Sequence, residues 1–325
     1  MQLFAKLDSP RTVVLDLVTV LVVIAGVSVL AAVGSSYLQG ALVIFSINAV
    51  LVISYRTITT MGGWSFAHVA IMGVGGYAVA VLSKPPMDIP VAVTFALGGL
   101  AAGLVSALLA YPVLRTRQYY FFLSTFAAGE ALRQCFIQFR QLTGGTSGIA
   151  FIEYPAFVQT GDTLQFLALV LAVFFLLGLF YLMFDASETG MKIRAVGLDE
   201  TLSQSLGMNP WRLRALSFVL GSVGAGVAGG LLVSYNGIVA PADFSPELMF
   251  KIVAACIVGG TRRLYGPILG LTFLTIVEEA FRGVPEYVPL VWGGLVLAAT
   301  LYVPNGLEGL VDRLRASLVR RRRHA

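Results

Sequence analysis

Charge is scarce in this sequence, and cysteine and histidine are nearly missing. Charged residues are 12% of the 325, against roughly a quarter in an ordinary soluble domain. The two histidines and two cysteines leave no metal-ligand spacing and no disulfide framework. Cys135 and Cys256 fall in apolar runs, where a thiol behaves as a small apolar residue. No HExxH pair, nucleophile elbow or paired carboxylates at one depth is present. GVGGY at 73–77 follows no strand signal and has no acidic residue about twenty positions on, and TGGTSG at 143–148 lacks the lysine of a phosphate loop. Neither hydrolytic chemistry nor a bound cofactor is expected of this chain.

What the sequence has in abundance is apolar length. Hydrophobic residues are 57% of it and the mean hydropathy is +0.85. A spanning helix needs about 20 mostly apolar residues, because each backbone N–H and C=O in hydrocarbon has to be paired within its own segment. About ten such stretches can be read, centred on 13–34, 37–55, 65–82, 89–111, 119–139, 163–184, 213–234, 246–260, 264–282 and 287–304. The expected fold is an all-α polytopic membrane protein forming a single transmembrane domain over 1–325. The eighth and ninth stretches could instead form one re-entrant hairpin. Lys6 and Arg11 before the first stretch resemble a signal peptide, but the run is long and a second follows at once, so it reads as the first span.

Cytoplasmic loops are enriched in Lys and Arg. With ten spans starting inside, seventeen basic residues fall on the cytoplasmic side and three (Lys84, Arg140 and Arg282) outside, while Arg133 and Lys251 lie within spans. Both termini are therefore expected in the cytoplasm. The basic tail at 312–325, with Arg320 to Arg323, suits anionic headgroups rather than nucleic acid.

The 35 glycines cluster. Those at 221–230 suit close helix packing. Gly62–Gly63 and Gly259–Gly260, each beside polar residues, suit interrupted helices. Intramembrane charges are few: Glu130 and Arg133, three apart on one helix face, read as a structural ion pair, with a role in substrate passage as the alternative. Asp16 reads as reaching the interface, and Glu278 and Glu279 as solvated at the end of a span. His68 reads as packed and hydrogen-bonded, with a substrate contact as the alternative.

One polar segment breaks the apolar pattern, DASETGMKIRAVGLDETLSQSLGMNPWRLR at 185–214. Asp199 and Glu200 suit the first turn of a helix, Gly207 its C-terminal cap, and Asn209–Pro210 the start of the next. A short helix over 190–208 is expected on the cytoplasmic face, with a solvated loop as the alternative.

GMKIRAVGLDETLSQSLGMNPWRLRALSFVLGSVGAGVAGGL resembles the cytoplasmic loop and following helix of the branched-chain amino acid ABC permeases, where a Glu followed seven residues later by Gly marks the coupling helix; Glu200 and Gly207 keep that spacing. GGWSFAHVAIMGVGGYAVA, IVGGTRRLYGPILG, and the pair YYFFLSTFAAGEALR and LTGGTSGI are similar to further blocks, the last two typical of the LivM-type subunit. Leu202 to Ser205, Trp64, Ala67 and Thr261 to Arg263 depart from the pattern. The resemblance implies an inner-membrane permease of two inverted five-helix halves. It implies pairing with a LivH-type permease, two ATPase subunits that carry the ATP and Mg, and a periplasmic substrate-binding protein. It assigns coupling to Arg194, Glu200, Gly207 and Asn209, and makes Trp64, Ser65, His68, Thr143, Gly144, Gly145, Gly259 and Gly260 candidates for the translocation path. The cargo is expected to be branched-chain or other hydrophobic amino acids, with urea, amides or aromatic acids, or an ion-coupled carrier, as alternatives.

Overall fold

An apolar chain has to pair its own backbone, and this one does so in helices, of which those beginning at Thr163, Glu188, Glu200 and Pro210 start on side-chain caps. The computed structural model describes residues 10–311 apart from 86, 88, 117, 118, 153, 156, 157, 159, 160, 304 and 305. Lys6, Arg117 and the basic tail at 312–325 lie outside the described residues. In chain order the helices are α1 (Pro10–Val33), α2 (Ser36–Thr59), α3 (His68–Leu82), α4 (Val91–Val113), α5 (Tyr119–Gln138), the single turn α6 (Arg140–Thr143), α7 (Thr163–Ala186), α8 (Glu188–Leu198), α9 (Glu200–Ser205), α10 (Pro210–Asn236), α11 (Pro246–Gly259), α12 (Tyr265–Ala280) and α13 (Val288–Tyr302). A two-residue antiparallel ladder pairs β1 (Ile149–Ala150) with β2 (Ile238–Val239). Asp162 caps α7 by accepting from the N–H groups of Leu164 and Gln165 at 3.0 and 3.1 Å, and Gly237 ends α10 at φ +69°.

Among the described residues, five helices are long and apolar enough to cross a membrane: α1, α2, α4, α7 and α10. The third expected span, 65–82, starts as helix only at His68, because Gly62 at φ +83° ends the preceding one and 61–67 runs as irregular chain. At 1.5 Å per residue, α11 and α12 are about 21 and 24 Å long, short of the roughly 30 Å hydrocarbon core.

Residues 1–249 and 250–325 form two compact units. In the first, α10 lies against α2, α3 and α4, and α7 packs on α2. The packing depends on missing side chains. A Cβ on Gly75 would overlap the Gly226 backbone, one on Gly229 the Met72 carbonyl, and one on Gly98 would sit 2.8 Å from the Gly75 carbonyl. Asp16, expected at the interface, is instead buried.

The loops of this unit gather at two ends. At one, Lys84 donates to the Ala150 carbonyl, β1 meets β2, and the Tyr154 hydroxyl donates to the Tyr235 carbonyl at 3.4 Å. At the other, Arg56 pairs with Asp185, the Ser217 hydroxyl donates to the Thr57 carbonyl at 2.5 Å, and Gly62 abuts Gly197. Each end holds only loops that the charge count assigns to a single side. The second end carries Arg56, Arg115, Arg194 and Arg214 and is the one the count places inside.

In the second unit, Gly259 and Gly270 let α11 and α12 approach backbone to backbone. Lys251 pairs with Glu278 and lies 5.9 Å from the Trp292 ring centroid. Glu278, expected to be solvated, is thus a partner for Lys251, the lysine that the sequence reading placed within an apolar stretch, where pairing offsets the cost of a charge. The buried Glu308 carboxylate accepts from the Arg263 N–H at 3.2 Å, beside the turn that begins at Gly260 with φ +97°.

Candidate functional site

Between α7 and α10 the chain leaves the apolar pattern and builds a two-part projection. Ser187 ends α7 and caps α8, accepting from the Gly190 N–H at 3.2 Å. The single helix expected over 190–208 is in fact α8 and α9, divided at Asp199. That residue is extended (φ −152°, ψ 103°) because its carboxylate caps α9 through the Leu202 N–H at 2.9 Å.

Gly207 ends α9 at φ +79°. Its N–H donates to the Gln204 carbonyl at 2.9 Å and that of Met208 to the Ser203 carbonyl at 3.1 Å, the two-bond helix stop for which glycine is suited. Asn209 then caps α10 by accepting from the Arg212 N–H at 3.1 Å, with Pro210 in the first turn, where its missing N–H costs nothing.

The projection is fastened at both ends by charge. Asp185, in the last turn of α7, pairs with Arg56 of α2, which is 2% exposed, and stands 3.8 Å from Arg194 of α8. Glu200 stands 3.8 Å from Arg214, whose guanidinium lies 5.6 Å from the Phe121 ring centroid. Glu200, Gln204 and Arg214 share an open groove of ≈ 650 Å³ with Leu114, Arg115 and Trp211. Between the two fasteners, α8 touches the interrupted chain directly. A Cβ on Gly62 would lie 2.9 Å from the Gly197 carbonyl, and one on Gly197 would overlap the Thr60 carbonyl. Leu198, Leu202 and Leu206, four residues apart, are 72%, 58% and 68% exposed.

At the far side of this contact, Ser65 and His68 are fully buried and Trp64 half-buried. His68 Nε2 is 3.0 Å from the Ser54 hydroxyl, and its ring centroid is 5.2 Å from that of Tyr55. Trp64 sits 6.3 Å from the same Tyr55 ring. Thr143, Gly144 and Gly145 are not near them. They follow α5 at the other end of the unit, where the Thr143 hydroxyl lies 2.6 Å from the Phe136 carbonyl and the two glycines have φ +73° and +67°. Gly259 and Gly260 belong to the second unit. Glu130 and Arg133 pair on α5, Nη2 to Oε1 at 2.6 Å and Nε to Oε2 at 2.9 Å. Arg56, Asp185 and Gly197 were not singled out by the sequence, although opposite charges one turn from the same ends of two spans are a signal of pairing.

A profile of the branched-chain amino acid transport system permease component matches residues 37–303. The chain belongs to this family. It is 27% identical over 291 residues to the high-affinity branched-chain amino acid transport permease LivM of Escherichia coli K12, a match covering 82% of this chain and 65% of that protein. The probable branched-chain amino acid transport permease LivH of Methanocaldococcus jannaschii is 26% identical over 84% of this chain and 92% of its own. The autoinducer 2 import permease LsrC of Enterobacter sp. strain 638 is 27% identical over 87% and 79%. Family and apolar helices together make this a multi-pass membrane protein.

Proposed function

We infer that this chain is the LivM-type permease subunit of an ATP-driven importer of branched-chain or other hydrophobic amino acids in a bacterial inner membrane. A LivH-type permease completes the path, two ATPase subunits supply ATP hydrolysis with their own Mg, and a periplasmic binding protein delivers cargo. The observation that carries this reading is the projection 185–214. It offers three exposed leucines on its tip, is held by Arg56–Asp185 and Glu200–Arg214, and bears through Gly197 on the break before α3. Exposed leucines on a helical projection suit insertion into an apolar groove, and a groove on an ATPase is the partner surface that gives them a function. ATP binding closes the ATPase pair and pushes α8 against the 61–67 break, and hydrolysis releases it, so that the cycle shifts the balance between two openings of the path.

Leu202→Glu places a charge on the tip while leaving the spans untouched. Purified with its partners, this variant is expected to lose the ATPase subunits and ATP-driven L-leucine uptake together, with the permease pair intact. Uptake by the parent complex that runs on an ion gradient without ATP would overturn the reading.

A further inference from the structure

α5 is out of keeping with the helices around it. Its first turns lie at the inner end, with Phe121 beside Gly63 and under Arg214. The chain beyond its last turn joins the ladder with β2 just past the end of α10. It therefore crosses the thickness that α10 crosses, yet it is not among the apolar helices suited to lipid and carries Glu130, Arg133 and Gln134. The Glu130 and Arg133 side chains are 36% and 26% exposed. Charges at that depth turn to a cavity or to protein, not to hydrocarbon. Beside them, Phe66, Val69, Phe126, Phe244 and Met249 form an apolar wall around a cleft of ≈ 20 Å³, about enough for one water.

We propose that this face of α5 lines the translocation route and that Glu130 and Arg133 together receive the zwitterionic head of the amino acid, ammonium on Glu130 and carboxylate on Arg133. The proposal deepens the importer reading above and rests on it. An internal ion pair and a bound zwitterion are interchangeable in charge: opening the pair around the substrate replaces one two-bond contact by two charge-assisted ones and leaves the site neutral throughout. The aliphatic side chain then lies on the Phe66, Phe126 and Met249 wall when the cleft opens. Movement reaches it from the projection, because the Phe66 N–H donates to the Thr125 hydroxyl at 3.0 Å and Gly129 packs on Ala67 and the Phe66 carbonyl. These residues end the same break on which Gly197 bears.

Two measurements on the full complex in proteoliposomes test this. In the first, Glu130→Gln with Arg133→Gln and the exchange Glu130→Arg with Arg133→Glu are compared with the parent. Both are expected to assemble to within about twofold of it and to lose L-leucine uptake at least tenfold. A pair that only holds the helix would be restored by the exchange, and one that only meets the partner permease would lose assembly in both variants. Uptake near the parent level in either variant, or loss of assembly in both, overturns the proposal. In the second, Phe126→Cys in a background with Cys135→Ser and Cys256→Ser is treated with a charged, membrane-impermeant thiol reagent. Labelling that L-leucine slows is expected; no labelling overturns the route. Labelling in a parent complex that shows no ATP-driven L-leucine uptake would instead sink the importer reading and leave the lining intact.

Discussion

Glycine does opposite work in the α3–α4–α10 core and in the projection 185–214. In the core it is an absence of volume: Gly75, Gly226 and Gly229 let backbones meet where any Cβ would overlap a neighbouring main chain. At Gly207 nothing lies within 4 Å of where a Cβ would be, and what glycine supplies is φ +79°. The first kind of glycine sets whether the bundle forms at all. The second sets only how a surface feature is presented, so substitutions in the two regions should fail in different ways.

The largest effect is expected from Gly229→Val. The added side chain meets the Met72 carbonyl and the Gly76 N–H on α3, and neither can yield without parting two helices. Overpacking of a well-packed core costs about 1–3 kcal/mol and more where backbone has to move. Here, folded permease should vanish from the membrane, as read by size-exclusion of a fluorescent fusion. A monodisperse Gly229→Val peak at the parent level would show that the core glycines are not packing residues.

Next is the fastener between the regions. Asp185→Ala leaves Arg56, 2% exposed, without its carboxylate. Breaking a buried pair by removing one partner costs about 3–5 kcal/mol, whereas replacing both by apolar residues is often close to neutral. Arg56→Met with Asp185→Leu should therefore recover most of the thermal stability that Asp185→Ala loses. Equal losses in the single and double variants would mean that Arg194, 3.8 Å from Asp185, carries the contact instead.

These contrasts also mark what the sequence could disclose. The helix stop at Gly207 and the cap at Asn209 were legible because each is a local pattern of residue type and spacing. So was the alternation of loops between two ends, which charge counting reports. The helix start at Asp199 and Glu200 was legible in the same way; that a separate helix, α8, runs ahead of it from Glu188 was not, since its polar sequence reads equally as an extension of the same helix. Arg56 and Asp185 stand 129 residues apart, and Lys251 and Glu278 27 apart; no local pattern links them. The polar character of α5 was visible, but that it crosses beside α10 with its charges half-exposed needed the fold.

At the tip the effect should be smaller and of another kind. Gly207→Val forces a β-branched residue into the left-handed region at a cost of about 1–3 kcal/mol, confined to the α9 stop. In the importer proposed above, membrane level and pairing with the second permease should be retained while ATP hydrolysis and uptake fall together. Gly207→Asn, which tolerates that conformation, should retain most activity. If valine and asparagine are equally harmful, the site is sterically covered in the complex and glycine there acts as it does in the core.

The smallest effect is expected from a charge on the same projection. Glu188 opens α8 and its carboxylate is 2.6 Å from the Lys192 ammonium, with side chains 78% and 45% exposed. The hydrogen bond from Lys192, with its charge, holds the Glu188 carboxyl below its usual range. A carboxyl whose folded value is depressed contributes stability above its unfolded value, about 4.3 for glutamate, and loses it as pH falls through the lower folded value. Between pH 6 and 8 it is fully ionised in both states, so the contribution is constant there, and exposure to solvent keeps it small. Glu188→Gln should leave the melting temperature of the complex within error at pH 7 and narrow its difference from the parent further below about pH 4. A shift of several degrees at pH 7 would show that Glu188 is buried against a partner. In that case the projection is held in the complex by its charges as firmly as the core is by its glycines.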